Sequence, residues 1–323
     1  MVLCLRPQAD FYRVDALPPP SLSVRYHAPG DAEVPALLRQ STALVIPAVG
    51  PKLALQLFEA TALKLVQVTG AGLDRLDVAG LTRLGIPVAN VPGGSNSALA
   101  EYAVTAASVL LRRLAWADDE IKRGNYASFR ARLVADNLAG LDGLLVGVVG
   151  LGTIGLAVAK AFAQARCRVC YYDPAPADPG AAQAIGAEPL SLAELLQRAD
   201  VVTLHVPLVA ATTGLIGAMQ LASMKKGAIL IQASRGGVVD EAALVESLRA
   251  SHLGGAAVDV YSTEPPARDN PLLAVAGEAA QRLLLTPHIA GVTRQSAAFL
   301  FRSAWENVER VLIRRAPPLH RAN

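Results

Sequence analysis

The sequence predicts an α/β protein built from two doubly wound parallel sheets, with one domain inserted into the other. Three observations carry this. Short apolar runs alternate with helical patterns along nearly the whole chain, the signature of βα units feeding a parallel sheet. The stretch 144–173 reads as strand, glycine-rich turn, helix, strand and terminal acid. An amphipathic helix over 294–314 follows the last strand and needs a sheet to cover. A chain of 323 residues has the length for two such domains.

In chain order, the runs 2–5, 22–28, 43–46, 65–69 and 88–91 read as strands, with helical patterns at 34–39, 53–62 and 78–84. The proline-rich 17–20 is a loop. From residue 95 one long helix runs through Arg113, with Asn96 or Ser97 as its cap and two arginines at its end. It reads as the first connection between the domains. A polar, irregular stretch, 118–142, separates it from the strand 144–149, the helix to residue 165 and the strand 168–172. The segment 174–182 reads as a loop, and Ser191 with Glu194 forms a capping box for a helix over 192–199. Strands at 201–204, 228–231, 255–260 and 283–285 then alternate with helical segments at 218–222 and 241–250. The final helix aligns Phe301, Trp305, Val308 and Leu312 on one stripe, so it is expected to pack back on the N-terminal domain. The expected domains are therefore 1–96 with 292–323, and 97–291.

Composition excludes several classes of function. The net charge of +3, with no block of consecutive basic residues, gives little support to nucleic-acid or anionic-membrane binding. The longest nearly uncharged stretch, 143–159, is broken by glycines and closed by Lys160, short of the ~20 residues of a membrane span. The apolar run at the start is too short for a secretory signal, so the expected location is the cytoplasm. Three cysteines make no disulfide framework. Cys167 and Cys170 form a C-x-x-C on a strand, where residues three apart point to opposite faces, so they read as structural. No metal site is expected.

The segment 144–173 carries the chemistry of a cofactor. Gly150, Gly152 and Gly155 stand in G-x-G-x-x-G spacing directly after an apolar run. Gly150 permits the tight turn, Gly152 lets a pyrophosphate approach the backbone, and Gly155 lets the helix lie close on the sheet. Free N–H groups and the helix dipole favour the phosphate charge. Asp173, at the end of the next strand, can accept hydrogen bonds from an adenosine ribose and would repel the extra phosphate of NADP. Pro174 and Ala175 follow it in place of Arg or Ser. Strand, helix and an acid about 20 residues on make the motif specific, and the expected cofactor is NAD (NADH).

Polar residues then gather at one edge. In an open α/β sheet, ligands bind outside the carboxyl ends of the strands. Strands of the second domain end at Asp173, at His205, at Ser234 and Arg235, at Asp259 with Glu264 beyond, and at Thr286-Pro287-His288. Arg235 can hold an α-keto carboxylate by a bidentate pair and polarise the adjacent carbonyl. His288 can give or take the hydroxyl proton as hydride moves, and Glu264 beside it would favour its protonated form. Asp259 could hold the nicotinamide carboxamide.

With these residues the chain resembles the D-isomer-specific 2-hydroxyacid dehydrogenases over nearly its whole length. The motifs are VTGAGLDRLDV (68–78), VGVVGLGTIG (146–155), LHVPL with Thr212 (204–212), GLIGAMQLASMKKGAILIQASRGGVVDEAAL (214–244), GAAVDVYSTEPP (255–266) and TPHIAGVT (286–293). The resemblance implies a Rossmann NAD-binding domain inserted into a flavodoxin-like substrate domain. It implies that Arg235 binds a 2-hydroxy or 2-keto acid, and that Glu264 tunes His288, the acid/base. It also implies NAD contacts from Thr153, Ile154, Asp173, His205, Pro207, Thr212, Ala233, Ser234, Asp259 and Gly291. The backbone of Gly70, Ala71 and Gly72 is implied to receive the substrate carboxylate, and a homodimer to form with the long helix contributing.

Departures bear on the substrate. Family members that oxidise formate carry Gln where this chain has Glu264, which argues against formate. No regulatory domain follows the last helix in this sequence, which disfavours the long phosphoglycerate dehydrogenases but not the short ones. Gln232-Ala233 stands where Asn-Thr or Asn-Ala is commoner, with little consequence expected. The substrate loops, 46–52 and 92–96, match no one member closely enough to name an acid. Two alternatives use the same fold: an NADH-sensing binding protein like the C-terminal-binding-protein corepressors, and a phosphite-type dehydrogenase. Lys52 and Arg75 are the candidate anion-binding residues for the latter, read here as isolated surface charges.

Overall fold

Two strand runs near the start, paired in parallel, begin the sheet of the first unit in a computed structural model that describes residues 1–176 and 178–323. That unit comprises Met1–Ser95 with Val292–Asn323. Its strands are β1 (Val2–Cys4), β2 (Val24–Tyr26), β3 (Ala43–Ile46), β4 (Leu65–Val68) and β5 (Val88–Ala89), in the order β2-β1-β3-β4-β5. Every pairing is parallel, and the order reverses at β1 and β3. The strands β1, β3 and β4 are largely apolar on both faces because both faces are covered, whereas the edge strand β2 exposes Arg25. Leu3, Leu44, Ile46, Val66 and Val68 pack with Leu37, Leu38, Phe58 and Leu81 on one side. Val2, Cys4, Val45 and Leu65 pack on the other with Phe11 and with Phe301, Trp305 and Val308 of the final helix, Arg294–Leu312. A buried polar pair helps to hold that helix: Asn307 Nδ2 donates to Gln67 Oε1 of β4 at 2.9 Å, and Asn307 Oδ1 accepts from Leu319 N at 2.7 Å.

The expected helix over 53–62 is a single 3₁₀ turn, Leu55–Phe58, with extended residues on either side. Its leucines at 53, 55 and 57 recur with period two and are drawn half into the core, so no helical face forms. Ala60 then takes a positive φ of 55° that ends any helical path. The short helix Gln8–Tyr12 was not expected; five residues are too few to show a period.

The second unit, Asn96–Gly291, holds a seven-stranded parallel sheet. Its strands are β6 (Leu145–Val149), β7 (Arg168–Tyr172), β8 (Glu188–Pro189), β9 (Val201–Leu204), β10 (Ile229–Gln232), β11 (Gly255–Val258) and β12 (Leu283–Leu285). The order is β12-β11-β10-β9-β6-β7-β8, so the chain reverses direction across the sheet between β6 and β9. One strand more than expected forms: β8, two residues long, pairs with Cys170 and Tyr171 of β7. The long helix Asn96–Leu111 lays Ala100, Ala103, Ala107 and Leu110 in one cluster with Val158, Ala159 and Phe162 of the helix Thr153–Gln164. Alanine at these positions lets helix axes approach closely.

The polar stretch 118–142 is not irregular. It contains the end of the helix Leu114–Lys122 and the helix Tyr126–Ala135. Arg113, at a φ of 50°, separates the first of these from the long helix. Each buries one large side chain, Trp116 and Phe129, whose rings meet at 5.2 Å, so the apolar period was too sparse to read. Part of the segment expected as a loop is also helical: Asp178 caps Pro179–Ala184 through Ala181 N. Cys4, Cys167 and Cys170 are buried free thiols. Burial pushes Cys4 up to about 12 and Cys170 up to about 11, which disfavours a reactive thiolate. Among the described residues no helix is long and apolar enough to cross a membrane, and no group of His, Cys, Asp or Glu could hold a metal ion.

Candidate active site

The carboxyl ends of β6, β7, β9, β10, β11 and β12 carry the expected site residues of the second unit. After β6, Gly150 turns with a φ of 90°, and a Cβ there would stand 2.5 Å from the carbonyl oxygen of His205. At Gly155 a Cβ would lie 1.9 Å from Gly150 O, so the helix Thr153–Gln164 rests on the turn only because that side chain is absent. Gly152 differs: a Cβ there would meet nothing within 4 Å. It is the N-cap of the helix, and no side chain caps the first turn. Asp173 ends β7 and ties the turn, accepting from Leu151 N at 2.6 Å and from Ala175 N at 2.8 Å. A carboxylate has about four acceptor positions, so capacity remains for further donors.

β9 runs into His205, whose Nε2 lies 2.8 Å from Thr203 Oγ1 while Nδ1 is buried without a partner. Burial pushes its pKa down to about 4, so the ring is neutral at pH 7. In the loop beyond, Thr212 Oγ1 donates to Pro207 O at 2.5 Å and accepts from Val209 N at 2.9 Å. Ile154, Ala233 and Ala290 meet in a small apolar cluster with Leu99 and Tyr102.

β10 delivers Ser234 and Arg235 on a turn built by Gln232, the residue that stands where Asn is commoner. Gln232 is buried; its Oε1 accepts from Ser234 Oγ at 2.7 Å and its Nε2 donates to Arg235 O at 2.8 Å. Arg235 Nη1 donates to Ser234 O at 2.8 Å.

His288 and Glu264 come together. His288 Nδ1 is 2.7 Å from Glu264 Oε2, and Glu264 Oε1 accepts from Tyr261 N at 3.1 Å. With Glu264 ionised, Nδ1 carries the hydrogen and donates, which assigns Nε2 as the atom of exchangeable protonation. His288 sits at a φ of 54°, a conformation costing a non-glycine residue about 1–2 kcal/mol. Asp259 holds it there. Asp259 is 1% exposed; its Oδ1 accepts from Thr286 Oγ1 at 2.6 Å and Ile289 N at 2.8 Å, and its Oδ2 from Ala290 N at 2.8 Å. Its carbonyl oxygen accepts from His288 N at 2.8 Å. Because the Thr286 hydroxyl hydrogen goes to Asp259, the Tyr102 hydroxyl is the donor across their 2.7 Å contact. The sequence places Gln232 and Thr286 at strand ends without assigning them a role, and does not single out Tyr102. Thr286 lay beside a flagged histidine; Tyr102 gave no signal on an apolar helix.

Gly70, Ala71 and Gly72 follow β4 in the first unit, where Gly70 O accepts from Val91 N at 2.9 Å and Ala71 O from Asn90 Nδ2 at 2.7 Å. Lys52 is exposed, as read. Arg75 is not a surface charge: it is 3% exposed, with Nε and Nη1 donating to backbone carbonyls.

The sequence model of the D-isomer specific 2-hydroxyacid dehydrogenase NAD binding domain matches residues 104–290. The chain belongs to this family. Within it, the chain is 39% identical to an (S)-sulfolactate dehydrogenase of Chromohalobacter salexigens over 70% of each protein. It is 40% identical to a D-3-phosphoglycerate dehydrogenase of Archaeoglobus fulgidus over 66% of this chain, but spans only 38% of that protein's length. The crystal structure of the TT0316 protein from Thermus thermophilus superposes with a TM-score of 0.85 at 30% identity, covering 100% of this chain and 99% of that one. The cofactor of the 2-hydroxyacid dehydrogenase domain is NAD(H), and the residues present fit it. The open Gly152 position leaves room for a pyrophosphate, the helix N-terminus behind it carries no side-chain cap, and the orphaned His205 Nδ1 awaits a partner.

Proposed function

We propose that this chain is an NAD-dependent oxidoreductase that interconverts a D-2-hydroxy acid and its 2-oxo acid. The observation that supports it most is the 2.7 Å contact of His288 Nδ1 with Glu264 Oε2, on a turn fastened by Asp259, in a unit with a dinucleotide-binding loop. NAD(H), when bound, supplies or accepts the hydride at the carbon bearing the oxygen. In the reducing direction, Arg235 holds the carboxylate and draws electron density toward the carbonyl oxygen. His288, as imidazolium, gives the proton on Nε2 to that oxygen as it gains charge, then regains a proton from solvent. Glu264 keeps the ring oriented through Nδ1 and offsets its positive charge. In the oxidising direction neutral His288 takes the hydroxyl proton at the same nitrogen. Asp173 would favour NAD over NADP, since it sets a negative charge where an added phosphate would go. The first unit serves as the substrate domain, its Gly70–Gly72 backbone receiving the carboxylate; a homodimer rests on the family resemblance alone.

The test is oxidation of NADH, against NADPH, with a panel of 2-oxo acids: glyoxylate, hydroxypyruvate, pyruvate, phenylpyruvate and sulfopyruvate. Turnover is expected with at least one, reduced about 10²-fold or more in His288→Ala. Arg235→Ala should lose turnover and keep NADH affinity. Silence of the wild-type protein across the panel, with NADH still bound, would overturn the 2-hydroxy-acid reading in favour of phosphite-type chemistry or an NADH-sensing role.

A further inference from the structure

Arg75 belongs to the connection after β4, yet its side chain and its carbonyl bond to the loop after β3. Its Nε donates to Pro51 O at 2.9 Å, its Nη1 donates to Pro47 O at 2.9 Å, and its own carbonyl accepts from Leu53 N at 2.8 Å. Three bonds thus fasten the loop 47–53 at its beginning, middle and end. Gly50, at a φ of 133°, lies so close over the guanidinium that a Cβ would stand 3.2 Å from Arg75 Cζ. The side chain is 3% exposed and forms no ion pair among the described residues, and burial pushes its pKa down. Its Nη2 is buried without a hydrogen-bond partner. Placing a guanidinium here is costly and needs a return in structure.

The clamped loop sits at a telling place. It leaves the carboxyl end of β3, beside β1, where the strand order reverses. Open α/β sheets bind ligands at such points. The loop also abuts the neighbouring turn: a Cβ on Gly70 would stand 2.8 Å from Ala48 Cβ. The gap between the loop and the Gly70–Gly72 backbone is therefore fixed by how tightly Arg75 draws in Pro47 and Pro51. We propose that Arg75 is the positioning residue for substrate specificity: it holds the loop 47–53 against the Gly70–Gly72 turn and so sets the space left for the side chain of the 2-oxo acid. This rests on the function proposed above, in which that turn receives the carboxylate.

The experiment compares wild type, Arg75→Met, Arg75→Lys and Gly50→Ala in full-length protein. Each is assayed with NADH and a graded series: glyoxylate, which has no side chain, then pyruvate, 2-oxobutyrate, 2-oxoisocaproate, phenylpyruvate and oxaloacetate. For Arg75→Met, kcat/KM on glyoxylate should stay within about threefold of wild type, while acids with side chains change rank by about tenfold or more, chiefly through KM. Arg75→Lys, which can still donate to one carbonyl, should restore part of the wild-type ranking. Gly50→Ala, which displaces the loop and leaves the charge in place, should reproduce the Arg75→Met pattern and serves if that variant does not fold. An equal loss on every acid, glyoxylate included, would overturn the inference and leave the enzymatic reading standing. So would a loss confined to oxaloacetate, which would mean direct ion pairing with a second acid group. Wild-type silence across the series would sink both.

Discussion

At the scale of single residues, the site is a set of backbone positions held by side chains that do no chemistry. His288 occupies a costly conformation, and the donors on Asp259 keep it there. Thr286→Val removes the hydroxyl between Tyr102 and Asp259 and leaves the half-buried Tyr102 O–H without its partner. It should lower kcat about tenfold, with NADH affinity little changed. Thr286→Ser, which restores the hydroxyl, should recover most of that loss, and steady-state kinetics of the pair checks both. His205 makes a separate prediction. Its folded pKa is depressed to about 4 against an ordinary value of 6.5. Below 6.5 the unfolded chain binds a proton there that the folded chain does not, so stability falls as pH drops from about 6.5 toward about 4 and is full above that window. Melting temperatures across that range should fall less steeply in His205→Asn. Gly150, Gly152, Gly155, Asp173, Glu264 and His288 stood out in the sequence because their types are scarce and their spacings fixed, and the structure places them at or beyond the strand ends. Gln232 and Tyr102 did not, because one stood where a neutral replacement was expected and the other on a helix read as core.

At the scale of elements, long apolar runs declared themselves and short ones did not. The strands β6, β9 and β10, buried on both faces, agree with the sequence to within one residue at each end. The two helices after Arg113 failed the period test because each leans on one aromatic ring and on surface pairs such as Asp118 with Lys122 and Asp119 with Arg123. The 3₁₀ turn at Leu55–Phe58 shows the reverse error, where composition suggested a helix that burial refused. The final helix was readable from its stripe; the hydrogen bonds of its Asn307 were not. Asn307→Ala should leave Gln67 Oε1 and the Leu319 peptide unsatisfied and destabilise the protein by about 2–3 kcal/mol, seen as a lower denaturant midpoint with an unchanged slope.

At the scale of the whole molecule, two parallel sheets were legible as alternation, but not their strand orders. Alternation fixes that connections cross over; which side of the first strand each new strand joins depends on helices packing on both faces, and no local pattern encodes it. One face of the first sheet is covered by Phe301, Trp305 and Val308, residues made 236 to 306 positions after the strand residues they shield. On the ribosome, synthesised from its amino end, the chain therefore exposes Val2, Cys4, Val45 and Leu65 while the whole of 96–291 emerges and is free to fold. A nascent chain arrested with residue 291 outside the exit tunnel should resist protease across 96–291 and be cut within 1–95, with protection of 1–95 arriving only once the final helix clears the tunnel. Equal protection of both segments at that arrest would refute this order. The strands β1, β3 and β4 are then made before the helix that shelters them, and for that interval their apolar face stays open to solvent.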